Sequence, residues 1–503
     1  MITSDKLRPW QLRPANHLLE TLKNNDSALD GSDCGAGKTY IAVAIAAALD
    51  LPTLVVVPKI SVSAWKTVFE QLNNSSSLIN YEQLRTGKSV YGCWTNQESI
   101  DSGRRFALVC TICQRRTLEG DSILPCPANS EGIHCFEREA RPIVYGKFRF
   151  NEAVKFVIFD EAHRCGGIDS LNAEILIAAK RQRIKHLMLS ATPAQNIMQL
   201  RAIGYSLDLH CLDIEGLIRS NKRGAKQKVF SGWLASLGAR KDPQAHHQLV
   251  WRVSEAQQRE TMNAIRSQIF PARGIRITTD QIPNFPKVDI QAQLIDTDHE
   301  NEISEAYKEM SAAIAELHTT ALSDADPEHP LTKMLRARQK IALLKIPAMV
   351  ELARDRLDSG YSIGLFCNFR QSLEELSRRL QCPIIDGTVT GAKRDEIIAS
   401  YQNNDCRCLA LNSEAAGICI SLQDLDGNHP RFGLVDPPWS ATTFKQLIGR
   451  FPRDGGKSTS HFRVLFAAGT VEMKMYSALR SKLNNLAALT DGDLRPENLK
   501  LCK

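Results

Sequence analysis

The stretch that most constrains this chain is SDCGAGKT, residues 32 to 39. It is a glycine-rich turn that runs into an alanine-rich helix, YIAVAIAAAL, and then into a short apolar strand, PTLVVVP. A strand that is apolar throughout is buried on both faces, as in a parallel sheet covered by helices. Gly35, Ala36 and Gly37 leave backbone N–H groups free to approach phosphate oxygens, and the helix adds its positive N-terminus. Lys38 supplies a fixed positive charge, and the Thr39 hydroxyl can hold Mg²⁺. Ser32 stands where the pattern often has its first glycine.

The same grammar recurs. VKFVIFDEAH is an apolar strand ending in acids, and IKHLMLSATP is one ending in small hydroxyl residues. Doubly wound α/β sheets place their sites at such strand C-termini. Asp160 is positioned to hold Mg²⁺ through water, and Glu161 to orient and deprotonate an attacking water. A phosphate loop followed by a strand-borne acid pair is the pattern of a nucleotide hydrolase.

At 503 residues the chain is too long for one ordinary core, so two to four domains are expected. A net charge of +7 permits a polyanionic partner without requiring one. No run of about 18 apolar residues and no signal-peptide pattern is present. With fourteen cysteines and no export signal, a reducing, intracellular location is expected, cytoplasmic in a bacterial or virus-infected cell. Clustered cysteines are then metal ligands rather than disulfides.

The first α/β region spans 1–207, and a cysteine-rich insertion with little periodicity occupies 86–149 within it. A polar, helical linker region is expected at 208–285, closed by IPNFPKV. A second α/β unit spans 286–503, with helices over 300–358 interrupted at SDADPEHP. The adjacent His246 and His247 would face different directions on a helix and read as structural.

With these motifs in order, the chain resembles the superfamily 2 helicases, and within them the Swi/Snf-type double-stranded-DNA translocases. LRPWQ looks like the adenine-recognition segment, which makes Gln11 the candidate adenine contact. SDCGAGKT matches motif I, VVVPKISVSAW motif Ia with Trp65, INYEQL motif Ib, DEAH motif II and SAT motif III. LFCNFRQSLEEL resembles motif IV, LNSEAAGICISLQ motif V, and VDPPWSATTFKQLIGRFPRDGGKS the segment ending in motif VI. LRARQKIALLKIPAMVELARDRLDSG is similar to the annealing-helicase branch, and a compact viral, phage or bacterial member is expected.

The resemblance implies two RecA-like lobes with ATP in the cleft between them. It assigns Arg450 and Arg453 as arginine fingers that reach across to the γ-phosphate, where a planar, always-charged fork is needed. It assigns His163, Ser190, Thr192 and Gln446 to coupling hydrolysis with lobe movement, and Trp439 to a position linking the lobes. Cys419 and Ser421 depart from the usual motif V, and Pro452 separates the two arginines. Nucleic acid would lie across both lobes, held at its phosphates. The candidate contacts are Lys59, Ser61, Asn80, Asn368, Arg370 and Ser413.

The implied activity is a nucleic-acid-stimulated ATPase moving along double-stranded or branched DNA, as a monomer and away from membranes. A strand-unwinding DNA or RNA helicase, or an ATP-liganded clamp without motor activity, are the alternatives.

Cys110, Cys113, Cys126 and Cys135 run C-x₂-C-x₁₂-C-x₈-C within the insertion. A knuckle that supplies two ligands from one turn, followed by a later pair, suits a tetrahedral structural Zn²⁺. Cys93 and His134 are rival ligands. Metal would add folding energy that so small an insert lacks, and the module would touch DNA or a protein partner.

Overall fold

The computed structural model describes residues 2, 7–96, 105–110, 116–118, 136–143, 146–167, 170–194, 197–212, 229–238, 240–241, 251–252, 255–295, 299–319, 330–389, 391–413, 420–438, 440–468, 472 and 500–502. They form two α/β lobes, each built on a parallel sheet. In the first sheet the strands lie in the order Gly274–Ile275, Ser27–Asp30, Lys185–Leu189, Phe156–Asp160, Thr53–Val57, Ser77–Asn80. All neighbours are parallel.

Side-chain alternation explains why these strands are apolar without a break. Leu54, Val56, Val157 and Phe159 pack into one core, while Val55, Val57, Phe156 and Ile158 pack into the core on the opposite face. Each such buried side chain contributes about 1.5–3 kcal/mol relative to exposure. The helices Pro9–Asn24 and Lys38–Leu49 cover the second face, and Leu171–Arg181 covers the first.

The second sheet has the order Ile384–Ile385, Cys408–Asn412, Ser362–Cys367, Arg431–Val435, Ser460–Ala467, Val288–Ile295, Lys500–Cys502, again all parallel. It too has a core on each face. Glu300–Thr319, Pro330–Leu344 and Ile346–Asp358 supply the helices read from the sequence before it.

Two features could not be read from local pattern. The described part of 208–285 joins the first lobe: Gly274–Ile275 forms an edge strand beside Ser27–Asp30, and Trp233, Met262, Ile265 and Ile269 enter that lobe's core. A two-residue strand has too little periodicity to announce itself. The insertion also contains strands. Gly92–Asn96 pairs with Gly146–Phe150, and Arg105–Cys110 lies between Arg116–Leu118 and Phe136–Ile143, all antiparallel. Phe148 and Phe150 anchor its base in the first lobe's core.

Candidate ATP site and lobe cleft

The phosphate site gathers at the C-terminal ends of three parallel strands. The loop follows Ser27–Asp30, Asp160 ends Phe156–Asp160 with Glu161 next, and Ser190 follows Lys185–Leu189. Gly35 and Gly37 have φ of 84° and 72°, the left-handed region where a Cβ is costly. Their lack of a side chain is also needed for space. A Cβ on Gly37 would collide with the Gln11 amide nitrogen, and one on Gly35 would crowd Arg453 and Pro452 at 3.2 Å. Pro452, Arg453 and Gln11 thus all touch the phosphate loop. Gln11 is held by its first helical turn, its Oε1 accepting from Arg8 N at 2.9 Å. Lys38 Nζ donates to the carbonyls of Ser32 and Asp33 at 2.8 and 2.9 Å, which keeps the charge at the mouth of the loop.

Asp160 is 7% exposed and tightly held. Trp65 Nε1 donates to its Oδ2 at 2.9 Å, the Glu161 N–H donates to its Oδ1 at 3.0 Å, and the Tyr81 hydroxyl donates to its backbone carbonyl at 2.9 Å. Burial, and then the neighbouring Glu161 charge, push its carboxyl up to about 7. A buried carboxylate that ionises with difficulty is suited to a cation. Asp160 and Thr39 fit Mg²⁺, which when bound neutralises charge on the phosphates. Glu161 has a φ of 50°, which turns its side chain from the strand toward the cleft. Burial tends to raise its carboxyl, but the His163 hydrogen bond and the charges of His163, Lys38 and Arg450 pull it down to about 2. Glu161 is therefore held in its ionised form.

Gln446, from the second lobe, closes this network. Its Nε2 lies 3.3 Å from Glu161 Oε2 and 3.5 Å from His163 Nε2. His163 Nδ1 lies 3.3 Å from both Glu161 Oε2 and Ser190 Oγ, and Ser190 Oγ accepts from Thr192 N at 3.2 Å. One chain of polar contacts thus joins motifs II, III and VI. Arg450 and Arg453 both donate to the Ile420 carbonyl, at 3.4 and 3.2 Å, at the edge of the same cleft.

Residues 4–195 match the family model described as the type III restriction enzyme res subunit, and residues 344–455 match the helicase conserved C-terminal domain. The chain is 29% identical over 502 residues to a protein of Acanthamoeba polyphaga mimivirus named as an ATP-dependent RNA helicase, covering 98% of this chain and 85% of that one. It is 24% identical over 393 residues to the DNA repair and recombination protein RAD54-like of Drosophila willistoni, covering 70% of this chain and 47% of that one. With the human RAD54-like protein it shares 28% identity over 160 residues, 30% of this chain and 21% of that one. The chain belongs to the superfamily 2 helicases. It lies close to the RAD54-like, Swi/Snf-type members and to a viral helicase.

The six candidate nucleic-acid contacts come from both lobes of this helicase, but their surroundings differ. Lys59 and Arg370 are exposed, and Asn368 is half-buried. Ser61, Asn80 and Ser413 are buried. Asn80 caps the helix Tyr81–Leu84, accepting from Gln83 N at 2.8 Å. Arg370 pairs with Glu374 at 2.8 Å and with Asp386 at 3.6 Å.

Asn368 belongs to an arrangement that no motif announces. Its Nδ2 donates to Asp436 Oδ2 at 2.7 Å, while Lys345 Nζ bridges Asp436 at 2.7 Å and Glu472 at 3.0 Å, and the Tyr307 hydroxyl donates to Glu472. Burial alone would lower the Lys345 ammonium, but Asp436 and Glu472 outweigh it and raise it, so the helicase's second lobe keeps a buried charge. The motifs also gave no sign of Asp33, Arg276 and Lys445, which form a buried ion cluster at the phosphate loop.

Of the zinc candidates, Cys113, Cys126 and Cys135 lie outside the described residues, as do His134 and Trp439, and Cys110 ends the strand Arg105–Cys110. Among the described residues no group of three or more His, Cys, Asp or Glu could hold a metal ion, and no helix is long and apolar enough to cross a membrane.

Proposed function

We propose that this helicase is an ATP-driven motor that translocates on double-stranded or branched DNA, and that Lys38, Asp160, Glu161, Arg450 and Arg453 carry hydrolysis. The observation that supports it is the contact of Gln446 with both Glu161 and His163. The water-orienting acid of one lobe is wired to a helix of the other, so hydrolysis and lobe position are linked. Glu161 accepts the proton of the attacking water, Lys38 holds the phosphates, and the two arginines stabilise the charge that develops on transfer. A clamp that only bound ATP would need neither the ionised acid nor the arginines.

The duplex-DNA reading is supported by the relatives named as DNA repair and recombination proteins. A second reading, an RNA helicase, is favoured by the name of the relative aligned along nearly the whole chain. Triplex displacement run beside strand displacement on DNA and RNA separates them. A duplex-DNA translocase scores in the first alone, and unwinding of RNA duplexes would establish the second reading.

The cysteine quartet is proposed to hold structural Zn²⁺. The strand register supports this: Cys110 pairs with Phe136, the residue after Cys135, and Cys113 falls in the short connection between Arg105–Cys110 and Arg116–Leu118.

A further inference from the structure

The phosphate loop and the motif VI helix are joined by a contact that the helicase motifs do not account for. Asp33, in the loop, has 2% of its side chain exposed. Its Oδ1 accepts from Arg276 Nη2 at 2.9 Å and from Lys445 Nζ at 3.0 Å. Arg276 belongs to the same lobe as Asp33 and also donates to the Gly31 carbonyl at 2.6 Å. The carboxylate is thus fixed within its own lobe. Lys445 comes from the other lobe, 412 residues away in sequence, and 6% of its side chain is exposed.

Lys445 lies on the helix Ala441–Ile448, next to Gln446. Positions four apart share a helix face, and four residues after Lys445 stands Gly449. A Cβ on Gly449 would lie 2.5 Å from Cys34 Cβ, so Gly449 sits flush on the phosphate loop. Arg450 and Arg453 follow at once. The helix is therefore pinned on the loop at two points, an ion pair and a glycine seat, just before the fingers.

We propose that Lys445 is a positioning residue: its ion pair with Asp33 seats the motif VI helix on the phosphate loop and so sets the reach of Arg450 and Arg453. The proposal rests on the hydrolytic reading of the site. A buried charge left without its partner is costly, so the pair favours a single docked position of the helix over a range of looser ones. Lys445 touches neither Glu161 nor the fingers in the contacts described, and its effect passes through the helix it anchors. The phosphate loop's own hold on nucleotide, through Lys38 and the backbone, does not depend on it.

The test is steady-state ATPase of the full chain with saturating duplex DNA, using Lys445→Met, Lys445→Arg and Asp33→Asn. Misplacing catalytic groups by about 1 Å costs up to about 100-fold, so Lys445→Met is expected to lower kcat between about 10- and 100-fold. KM for ATP should stay within about twofold, because ground-state binding is untouched. Lys445→Arg should recover most of the rate, and Lys445→Met should cost less in an Arg453→Ala background than in the wild type, because only Arg450 is then left to misplace. Asp33→Asn, which keeps the side chain's shape, should show the same split, and the reading is taken from whichever variant melts like the wild type. Unchanged kcat, a loss carried in KM, or a loss that multiplies with Arg453→Ala would overturn the proposal. A wild-type chain inactive with every nucleic acid would instead overturn the hydrolytic reading.

Discussion

Gln446 and Glu161 lie 3.3 Å apart across the lobe cleft, the amide nitrogen of the first facing a carboxylate oxygen of the second. The pair is a direct link between the acid proposed to activate water and the helix Ala441–Ile448, which ends just before the proposed fingers Arg450 and Arg453. Gln446→Ala removes it while leaving Glu161 its His163 contact. Mispositioning of this kind is expected to lower kcat by about 10- to 100-fold, with KM for ATP little changed. Rates measured across an ATP titration give both numbers. A change confined to KM would assign Gln446 to nucleotide binding instead.

Asp160 carries a pH signature. Its carboxyl is raised from 3.8 to about 7 by burial and by Glu161, so its protonated form is favoured in the folded protein. A raised group stabilises fully at low pH and loses that contribution as pH rises through the folded value. Without divalent metal, wild-type stability should therefore fall between about pH 4 and 7 relative to Asp160→Asn. Glu161, held down to about 2, works in the opposite sense and only at lower pH. Thermal unfolding of both proteins in chelator at pH 5 and pH 8 checks this. An Asp160→Asn advantage that does not grow with pH would count against it.

Trp65 Nε1 donates to Asp160 Oδ2, so the indole orients the carboxylate assigned to Mg²⁺. Loss of such an outer partner typically costs about 10- to 100-fold in metal affinity or activity. Trp65→Phe should therefore raise the Mg²⁺ concentration for half-maximal ATPase by about tenfold. A Mg²⁺ titration at fixed ATP is the check, and an unchanged midpoint would reduce Trp65 to packing.

The cysteine quartet predicts its own stoichiometry. Metal analysis of the purified chain should find about one zinc per molecule, and Cys110→Ser with Cys113→Ser should abolish it. Zinc-free wild-type protein would leave the four thiols without a metal role.

What the sequence made legible was local. The phosphate loop, DEAH and SAT are each a short pattern at the end of an apolar strand, and the strand's burial on both faces is written in its composition. Lys345 offered no such signal, because its partners Asp436 and Glu472 meet it only through the fold. Asp33 and Lys445 both lie in recognisable motif segments, but nothing in either segment shows that they pair, and Arg276 stands in a segment with no pattern of its own. Gly274–Ile275 is too short to show alternation, so its place beside Ser27–Asp30 emerges only from pairing. In the insertion, Arg116–Leu118 is also too short to show alternation, and the longer Phe136–Ile143, FEREARPI, is largely charged and contains Pro142.

The measurement closest to the central claim is the ATPase rate of the full chain against duplex, forked and single-stranded DNA and RNA, with Glu161→Gln as control. The account predicts that duplex or forked DNA raises the rate several-fold over the nucleic-acid-free level, and that Glu161→Gln abolishes turnover while still binding ATP. A rate that stays at background with every nucleic acid, or one that survives Glu161→Gln, would contradict it.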